Sequence, residues 1–321
     1  MIPEALHAMP DSPLQATPYE VLGVRPDAST GELRSAYRRK LRETHPDTGG
    51  DPDRFHEVQA AWERVGTAEA RAAYDRGGPA RTTTADDGAG SWSMPRTQGE
   101  RRDTRPGTRS HGHPGGVSRV RYLELIREWA GRGVDLPDPF GADLVRRAPR
   151  EIRHVLADAL AEEATARTVS TLGIAYTAWH DVATDAAGPG LPAKLDHVVL
   201  GPTGLFALQS EDWGAPVRIR RGELIGEALA GEKPMRALAQ RAKAVGRAAH
   251  VKFTCLLVVV PDGDSDEDLQ VLGSTRGAVT ALVQRSRLAG VLRTGLPGSA
   301  LIGGGEVMEV RTRLQQSIRF A

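Results

Sequence analysis

Side chains that could do chemistry gather at two places in this 321-residue chain. The first is His45-Pro46-Asp47, an imidazole and a carboxylate flanking a proline. It directly follows the basic run Glu32 to Glu43, which carries Arg34, Arg38, Arg39, Lys40 and Arg42. A charge run of this kind is by default a solvated helix face, so the tripeptide at its end is what marks it as a candidate contact surface. The second place is Lys194 and Asp196, followed across Gly201-Pro202-Thr203-Gly204 by Gln209 and Glu211. If that tetrapeptide closes a hairpin, pairing sets Asp196 opposite Gln209 and Lys194 opposite Glu211, each pair on one sheet face. Taken alone, Lys194 with Glu211 reads as a cross-strand ion pair.

Other reactive residue types carry weaker signals. His197 points to the sheet face opposite its neighbour Asp196 and reads as packed or hydrogen-bonded, not as a co-ligand. His180-Asp181 and His111-Gly112-His113 have no partners at metal-ligand spacing, and Gly303-Gly304-Gly305 lacks the Lys and Ser/Thr of a phosphate loop. The single cysteine, Cys255, can form neither an internal disulfide nor a zinc site, and its apolar run Val251 to Val260 makes it a small buried hydrophobe. Trp129, Trp179 and Trp213 fall on separate elements, which favours packing over a nucleic-acid stacking platform.

The elements that must present His45-Pro46-Asp47 follow from periodicity. Leu33, Tyr37 and Leu41 stripe one face of a helix, and Phe55, Val58, Trp62 and Val65 stripe a second. Pro46 forbids one continuous helix through the loop, so the two fold back antiparallel. Tyr19 and Leu22 of a short leading helix close the open side, and the turn carries His45 and Asp47 at its tip.

Those residues carry a resemblance across residues 17–76. Tyr19-Glu20-Val21-Leu22-Gly23-Val24, then Ala36-Tyr37-Arg38, His45-Pro46-Asp47, Phe55, Val58, Ala61 and Trp62, then Arg71 with Tyr74-Asp75, resemble the J domain of DnaJ-type co-chaperones. The resemblance implies an all-α antiparallel hairpin. It also implies that His45, Pro46 and Asp47 with Arg34, Arg38, Arg39, Lys40 and Arg42 dock on a DnaK-type ATPase chaperone and accelerate its ATP hydrolysis, by a salt-sensitive contact. His45 and Asp47 would then be triggers, not catalysts. One thiol cannot build the cysteine-rich zinc repeats of the DnaJ type, so client handling must lie elsewhere in the chain.

Residues 1–16 read as a tail. From 77 to 117 the chain turns to Gly, Pro, Ser, Thr, Asp and Arg, too apolar-poor to offset ordering entropy, and is read as a flexible linker without the phenylalanines of the glycine/phenylalanine segment of many relatives. A helical connector follows over 118–149, with Leu123, Ile126 and Trp129 on a helix ending near Gly131. Next comes a helix through Ile152, Leu156, Leu160 and Glu163, then extended runs Ile174 to Val182, Leu195 to Leu200, Leu205 to Ser210 and Val217 to Leu224. A helix Arg236 to Ala249, the run Val251 to Val260, a short run Gln270 to Leu272 and a helix Arg276 to Arg287 complete an α/β domain with a mixed sheet over 150–297. Residues 298–321 are a C-terminal tail.

Leu195-Asp196-His197-Val198-Val199-Leu200-Gly201-Pro202, followed by Gly204-Leu205-Phe206, resembles the nuclease-related (NERD-like) family built on the restriction-endonuclease core. The resemblance implies a metal-holding Asp on the first strand, where Asp196 stands, and an acidic residue or Gln on the second, where Gln209 stands. It adds a helical Glu, for which Glu162 or Glu163 is available, and an essential Lys at a position that here holds Glu211. Carboxylates must hold a divalent ion and a cation must steady charge on the phosphate, so Glu211 opposes the reaction unless Lys194 supplies the cation from the neighbouring strand. The expectation is therefore a co-chaperone with a degenerate nuclease-like module that binds a protein client or a nucleic acid, with no cofactor. The alternative is a phosphodiesterase using Asp196, Glu211, Lys194 and Glu163, with Mg or Mn on Asp196, Glu211 and Glu163. Net charge of +1 gives no global field for nucleic acid or membrane. The ten-residue apolar run 251–260 is too short to span a bilayer, and Met1 to Asp11 lacks a signal-peptide pattern, so a cytoplasmic place is expected.

Overall fold

The computed structural model describes residues 12–46, 49–75, 107–185 and 194–321. They form two compact units, one from the described residues up to 75 with 125–153, the other from 107–124 and 154–321.

The first unit begins with α1 (Pro18–Leu22), α2 (Thr30–Thr44), α3 (Pro52–Val65) and α4 (Ala68–Asp75). Helices α1 and α2 start on reciprocal caps, Thr17 with Glu20 and Ser29 with Glu32, each worth about 1 kcal/mol. Helix α1 stops at Gly23, whose φ of 67° suits glycine. Tyr19, Leu22, Leu33, Val58, Ala61 and Val65 form the core, with Leu41 and Tyr74 packed against it. Tyr37 stacks on Trp62 with ring centroids 4.5 Å apart. These are the two stripes of the antiparallel hairpin, and α4 is tied across them. The Tyr19 hydroxyl donates to Asp75 at 2.7 Å, and Arg71 donates to that hydroxyl at 3.2 Å and to the Pro26 carbonyl at 2.7 Å.

This unit also holds residues 125–153, most of the connector and the start of the next helix. Arg153 is only 2% exposed. It donates to the Glu20 carboxylate and to the carbonyls of Pro13 and Gln15 at 3.3 and 3.4 Å. The Arg146 guanidinium lies 5.6 Å from the Tyr74 ring centre, and Leu14 is fully buried. A buried guanidinium persists only when paired, so residues 146–153 brace α1 and α4 with a layer that no local pattern in the sequence marks.

The second unit is a mixed seven-stranded sheet in the order β1-β2-β3-β4-β7-β9-β8. Its strands are β1 (Arg109–His111), β2 (Thr177–Ala183), β3 (Lys194–Gly201), β4 (Gly204–Ser210), β7 (Cys255–Val260), β8 (Leu269–Thr275) and β9 (Ala278–Gln284), while β5 (Arg218–Arg220) and β6 (Glu223–Ile225) form a separate hairpin. Pairs β1·β2, β4·β7 and β7·β9 are parallel and β2·β3, β3·β4 and β8·β9 antiparallel. Its helices are α8 (Pro234–Ala248), α9 (Arg285–Thr294) and α10 (Gly304–Ser317) with the start of α5 (Gly116–Ala130) and most of α7 (Arg150–Ser170), while α6 (Ala142–Arg147), residues 125–130 of α5 and residues 150–153 of α7 belong to the first unit. Leu238, Val245, Val310 and Leu314 pack in one core cluster with the sheet, and Val169, Leu288 and Leu292 in the other. Burial on both faces explains why β7 and most of β4 read as apolar runs, while β3 carries Lys194, Asp196 and His197 into the interior.

Several expectations are corrected. The helix expected over Arg276 to Arg287 is strand β9 followed by α9. Val279, Thr280 and Val283 are β-branched and lie between β7 and β8, joined to the latter by the left-handed pair Arg276 and Gly277 with φ of 55° and 84°. The single run Val217 to Leu224 is a hairpin turning at Arg221 and Gly222, which have φ of 54° and 74°. Strand β1 arises inside the stretch whose composition reads as linker; residues 77–106 of that stretch lie outside the described residues. Helix α10 in the C-terminal tail buries Val310 and Leu314 in the sheet core, so the α/β unit extends past both ends expected for it. No described helix is long and apolar enough to cross a membrane.

Candidate functional site

On the helical hairpin, Leu33 and Ala36 of α2 face the core, which turns Arg34, Arg38 and Arg42 outward at four-residue spacing. All three are exposed, as is Arg39, while Lys40 is half-buried. Lys40 pairs with Glu43 at 3.0 Å and Arg39 with the same carboxylate at 3.9 Å. Arg42 donates from Nε to the Arg38 carbonyl at 3.2 Å. The result is a row of cations with a single acid at its C-terminal end. His45 caps α2 in extended conformation, because Pro46 cannot continue it. Backbone bonds from Gly49 to the Pro46 carbonyl and from Gly50 to the His45 carbonyl, both 3.0 Å, close the loop.

The His45 ring is not at a free tip. It is half-buried and meets Phe55 of α3 edge-on, with centroids 5.2 Å apart at 84°. Phe55 thus fixes the imidazole relative to the arginine row. Pro46 is exposed, and Asp47 lies outside the described residues.

In the second unit, Lys194 opens β3 and projects into a buried ionic cluster. Its Nζ donates to Glu162 at 2.5 Å, Asp181 at 2.6 Å and Asp196 at 3.1 Å. All four residues are at most 6% exposed. The remaining acceptor sites are filled: Glu162 takes Gly115 N–H and the Ser118 hydroxyl at 3.1 and 3.0 Å. Asp181 takes Gly116 and Val117 N–H at 3.0 and 3.3 Å, and Asp196 takes Ser210 N–H at 2.7 Å. Asp181 and Glu162 thereby tie the loop and first turn of α5 to the sheet. Burial by itself would lower the Lys194 ammonium, but the carboxylates of Asp196, Glu162 and Asp181 outweigh it and the net shift is upward. Burial, then the charge of Asp196, pushes Glu162 well above the usual carboxylate range.

Two acids stand on the other side of Asp196. Burial raises Asp158 to about 6, with Asp196 adding to the shift and His154 opposing it. Burial, then Asp158 and Asp196, pushes Glu211 well upward. Gln209 accepts from Arg241 of α8 at 2.8 Å.

The residues proposed for phosphodiester chemistry are therefore only partly brought together. Asp196 and Lys194 meet. Glu163 is instead bound by Arg119, with Nη2 2.9 Å from its second oxygen, so the helical carboxylate of the cluster is Glu162. The Lys194 ammonium occupies the space between three carboxylates where a cation would otherwise sit. Among the described residues no group of three or more His, Cys, Asp or Glu is arranged to hold a metal ion. Asp158, Arg119 and Arg241 were missed in the sequence, and Asp181 was set aside there as lacking partners at metal-ligand spacing. Asp158 had a usable signal, since it precedes Glu162 by four residues and shares its helix face. Asp181 had none, because its φ of 51° breaks the strand alternation that would place it.

Residues 17–75 match the family model of the DnaJ domain. Over 75 residues the chain is 45% identical to Chaperone protein DnaJ 2 of Streptomyces coelicolor, covering 22% of this chain and 20% of that protein. It is 48% identical over 64 residues to Chaperone protein DnaJ of Nostoc punctiforme, 19% of this chain and 17% of that one. A DnaJ protein homolog of Cucumis sativus is 45% identical over 60 residues, 19% of this chain and 14% of that protein. The chain spans at most about a fifth of the length of these curated relatives. The N-terminal helical unit thus carries a J domain homologous to those of DnaJ chaperones, joined to an α/β unit with a mixed sheet.

Proposed function

We propose that this protein is a co-chaperone that recruits a DnaK-type ATPase through His45, Pro46, Asp47 and the face formed by Arg34, Arg38, Arg39, Lys40 and Arg42, and stimulates its ATP hydrolysis. The observation that carries the reading is the outward row Arg34, Arg38, Arg42 ending at an imidazole held against Phe55. A row of like charges costs the isolated helix a few tenths of a kcal/mol per pair, and complementary charge on a partner offsets that cost while steering encounter. The J domain match over residues 17–75 supports the same partner.

The α/β unit is, in this proposal, a restriction-endonuclease-like module of the nuclease-related type that has kept a fold and lost a reaction. It serves to bind a protein client or a nucleic acid, bringing chaperone activity there by raising its effective concentration. The phosphodiesterase reading is the less favoured one, because Glu163 is committed to Arg119 and the Lys194 ammonium to three carboxylates. A cytoplasmic place, where DnaK-type chaperones meet reduced thiols, suits the single buried Cys255.

Single-turnover ATP hydrolysis by a DnaK-type chaperone tests the proposal, comparing the full chain with His45→Gln at low and moderate salt. Stimulation that is lost in the variant and weakened by salt supports it. Equal stimulation by both forms removes His45 from the contact, and stimulation by neither overturns the co-chaperone reading. His45→Gln forfeits an edge contact of about 1 kcal/mol, so circular dichroism on both forms separates lost contact from lost fold.

A further inference from the structure

Beside the ionic cluster, and sharing none of its side chains, a continuous hydrogen-bonded chain runs from an exposed strand of the sheet into its core. Ser110 Oγ is 2.8 Å from His180 Nε2, and His180 Nδ1 is 2.7 Å from His197 Nδ1. His197 Nε2 is 3.1 Å from Ser210 Oγ, which is 2.9 Å from Thr165 Oγ1. Ser110 is exposed on β1, whereas His180 and His197 are 2% and 0% exposed.

The proton order follows from the acceptors. With the Ser210 hydroxyl donating to Thr165, Ser210 accepts from His197 Nε2–H, so His197 Nδ1 carries a lone pair. That lone pair accepts from His180 Nδ1–H, which leaves His180 Nε2 unprotonated and facing the Ser110 hydroxyl. Burial lowers His180 to about 4, so its ring is neutral near pH 7 and keeps a lone pair on the nitrogen that faces Ser110. An exposed hydroxyl, an imidazole accepting its proton and a third group orienting that imidazole form the nucleophile–base–orienter pattern.

The backbone holds this pair in place. Gly112 has φ of 85°, and a Cβ there would lie 2.2 Å from the His180 carbonyl oxygen, so only glycine lets the chain after Ser110 pass so close to His180. Arg109 N–H bonds to the Tyr176 carbonyl at 3.2 Å. Strand alternation then turns the Ser110 N–H off the open edge of the sheet, where it can donate to an oxygen bound beside the hydroxyl.

We propose that Ser110 is a nucleophile, His180 its general base and His197 a positioning residue, acting on small unhindered carboxylic esters. The Ser110 oxygen bonds to the ester carbonyl carbon while its proton moves to His180 Nε2. Collapse of the adduct breaks the carbon–alkoxy bond, and His180 returns the proton to the departing alcohol. Water then adds to the acyl-serine with His180 again taking the proton, which releases the acid and restores the hydroxyl. Ser110 is exposed on its strand, so an ester reaches the hydroxyl from solvent, and a base lowered to about 4 is weak, which confines the reaction to small activated esters. This activity does not depend on the chaperone reading.

The full-length chain is treated with a fluorophosphonate probe, the labelled peptide is identified by mass, and p-nitrophenyl acetate hydrolysis is followed in parallel. The expected result is label on Ser110, absent in Ser110→Ala, with ester hydrolysis falling about a hundredfold in that variant and in His180→Gln. Because Ser110 is exposed, its alanine variant keeps the fold. His197→Gln, whose amide oxygen can accept from His180 Nδ1–H, should retain most of the rate, while His197→Leu should lose about tenfold or more. No label at Ser110, or hydrolysis unchanged by Ser110→Ala, overturns the proposal. Equal rates in His197→Gln and His197→Leu remove His197 from its positioning role.

Discussion

Replacing Lys194 by Met is the sharpest test of how the α/β unit is held together. The substitution keeps length and shape but removes the cation that touches Glu162, Asp181 and Asp196 at 2.5, 2.6 and 3.1 Å. All three carboxylates stay buried, and a water in place of the ammonium would supply hydrogen bonds but no compensating charge. Removing one partner of a buried ion pair costs about 3–5 kcal/mol, since the other charge is left uncompensated. That is a large part of the roughly 5–15 kcal/mol by which domains are stable. The loss should also depend on pH with a definite sign. Without the cation the folded-state carboxylates rise above their unfolded values, so the folded variant binds extra protons and regains stability as pH falls toward 5. The assay is urea unfolding read by hydrogen exchange at the amides of β2, β3 and β4, because the two units need not unfold together. Adding Glu162→Gln and Asp181→Asn to Lys194→Met should recover part of the loss through coupling. A loss below about 1 kcal/mol at pH 7.5, or one that does not shrink at pH 5, would refute the claim that the ammonium organises this core.

Further outcomes follow from other contacts. Asp158 is raised to about 6 by burial, so its ionisation costs the folded state stability above about pH 6 and that cost fades as pH falls to about 4; Asp158→Asn should stabilise the protein by about 1–3 kcal/mol at pH 8 and by nearly nothing at pH 4, read from urea midpoints. Arg153→Met should cost about 3 kcal/mol and raise hydrogen exchange in residues 12–20, since Glu20 and the carbonyls of Pro13 and Gln15 lose their donor. Arg38→Glu should reduce stimulation of a DnaK-type ATPase at low salt while leaving the thermal midpoint of the helical unit within about a degree or two, as an exposed position allows. Trp62→Ala should cost about 3–5 kcal/mol in that unit by removing the stack with Tyr37, measured by circular dichroism on heating.

The helical hairpin was legible because its determinants are local. Caps at Thr17 and Ser29, the stripe Leu33, Tyr37, Leu41 and the stop at Pro46 each act within one or two turns, so the order of residues dictates the element. The pairing of β3 with β4 was legible for the same reason, since a four-residue turn sets its register. Strand β9 was not, because Ala278 to Gln284 fits a helix or a buried strand equally well, and only its place between β7 and β8 decides. Strand β1 was hidden likewise: three polar residues become a strand only because β2 offers its edge.

By itself the sequence determined which segments fold on their own signals, the cationic row beside His45, and the presence of Lys194, Asp196 and Glu211 on neighbouring strands. Tertiary structure decided what those charges do. Whether Lys194 polarises a substrate or neutralises its neighbours depends on Glu162 and Asp181, which come from α7 and β2. Likewise Glu163 was lost to the cluster because α5 brings Arg119 to it. The chemistry of a charged side chain is set by which charges share its low-dielectric surroundings, and those are assembled by packing between elements far apart in the chain.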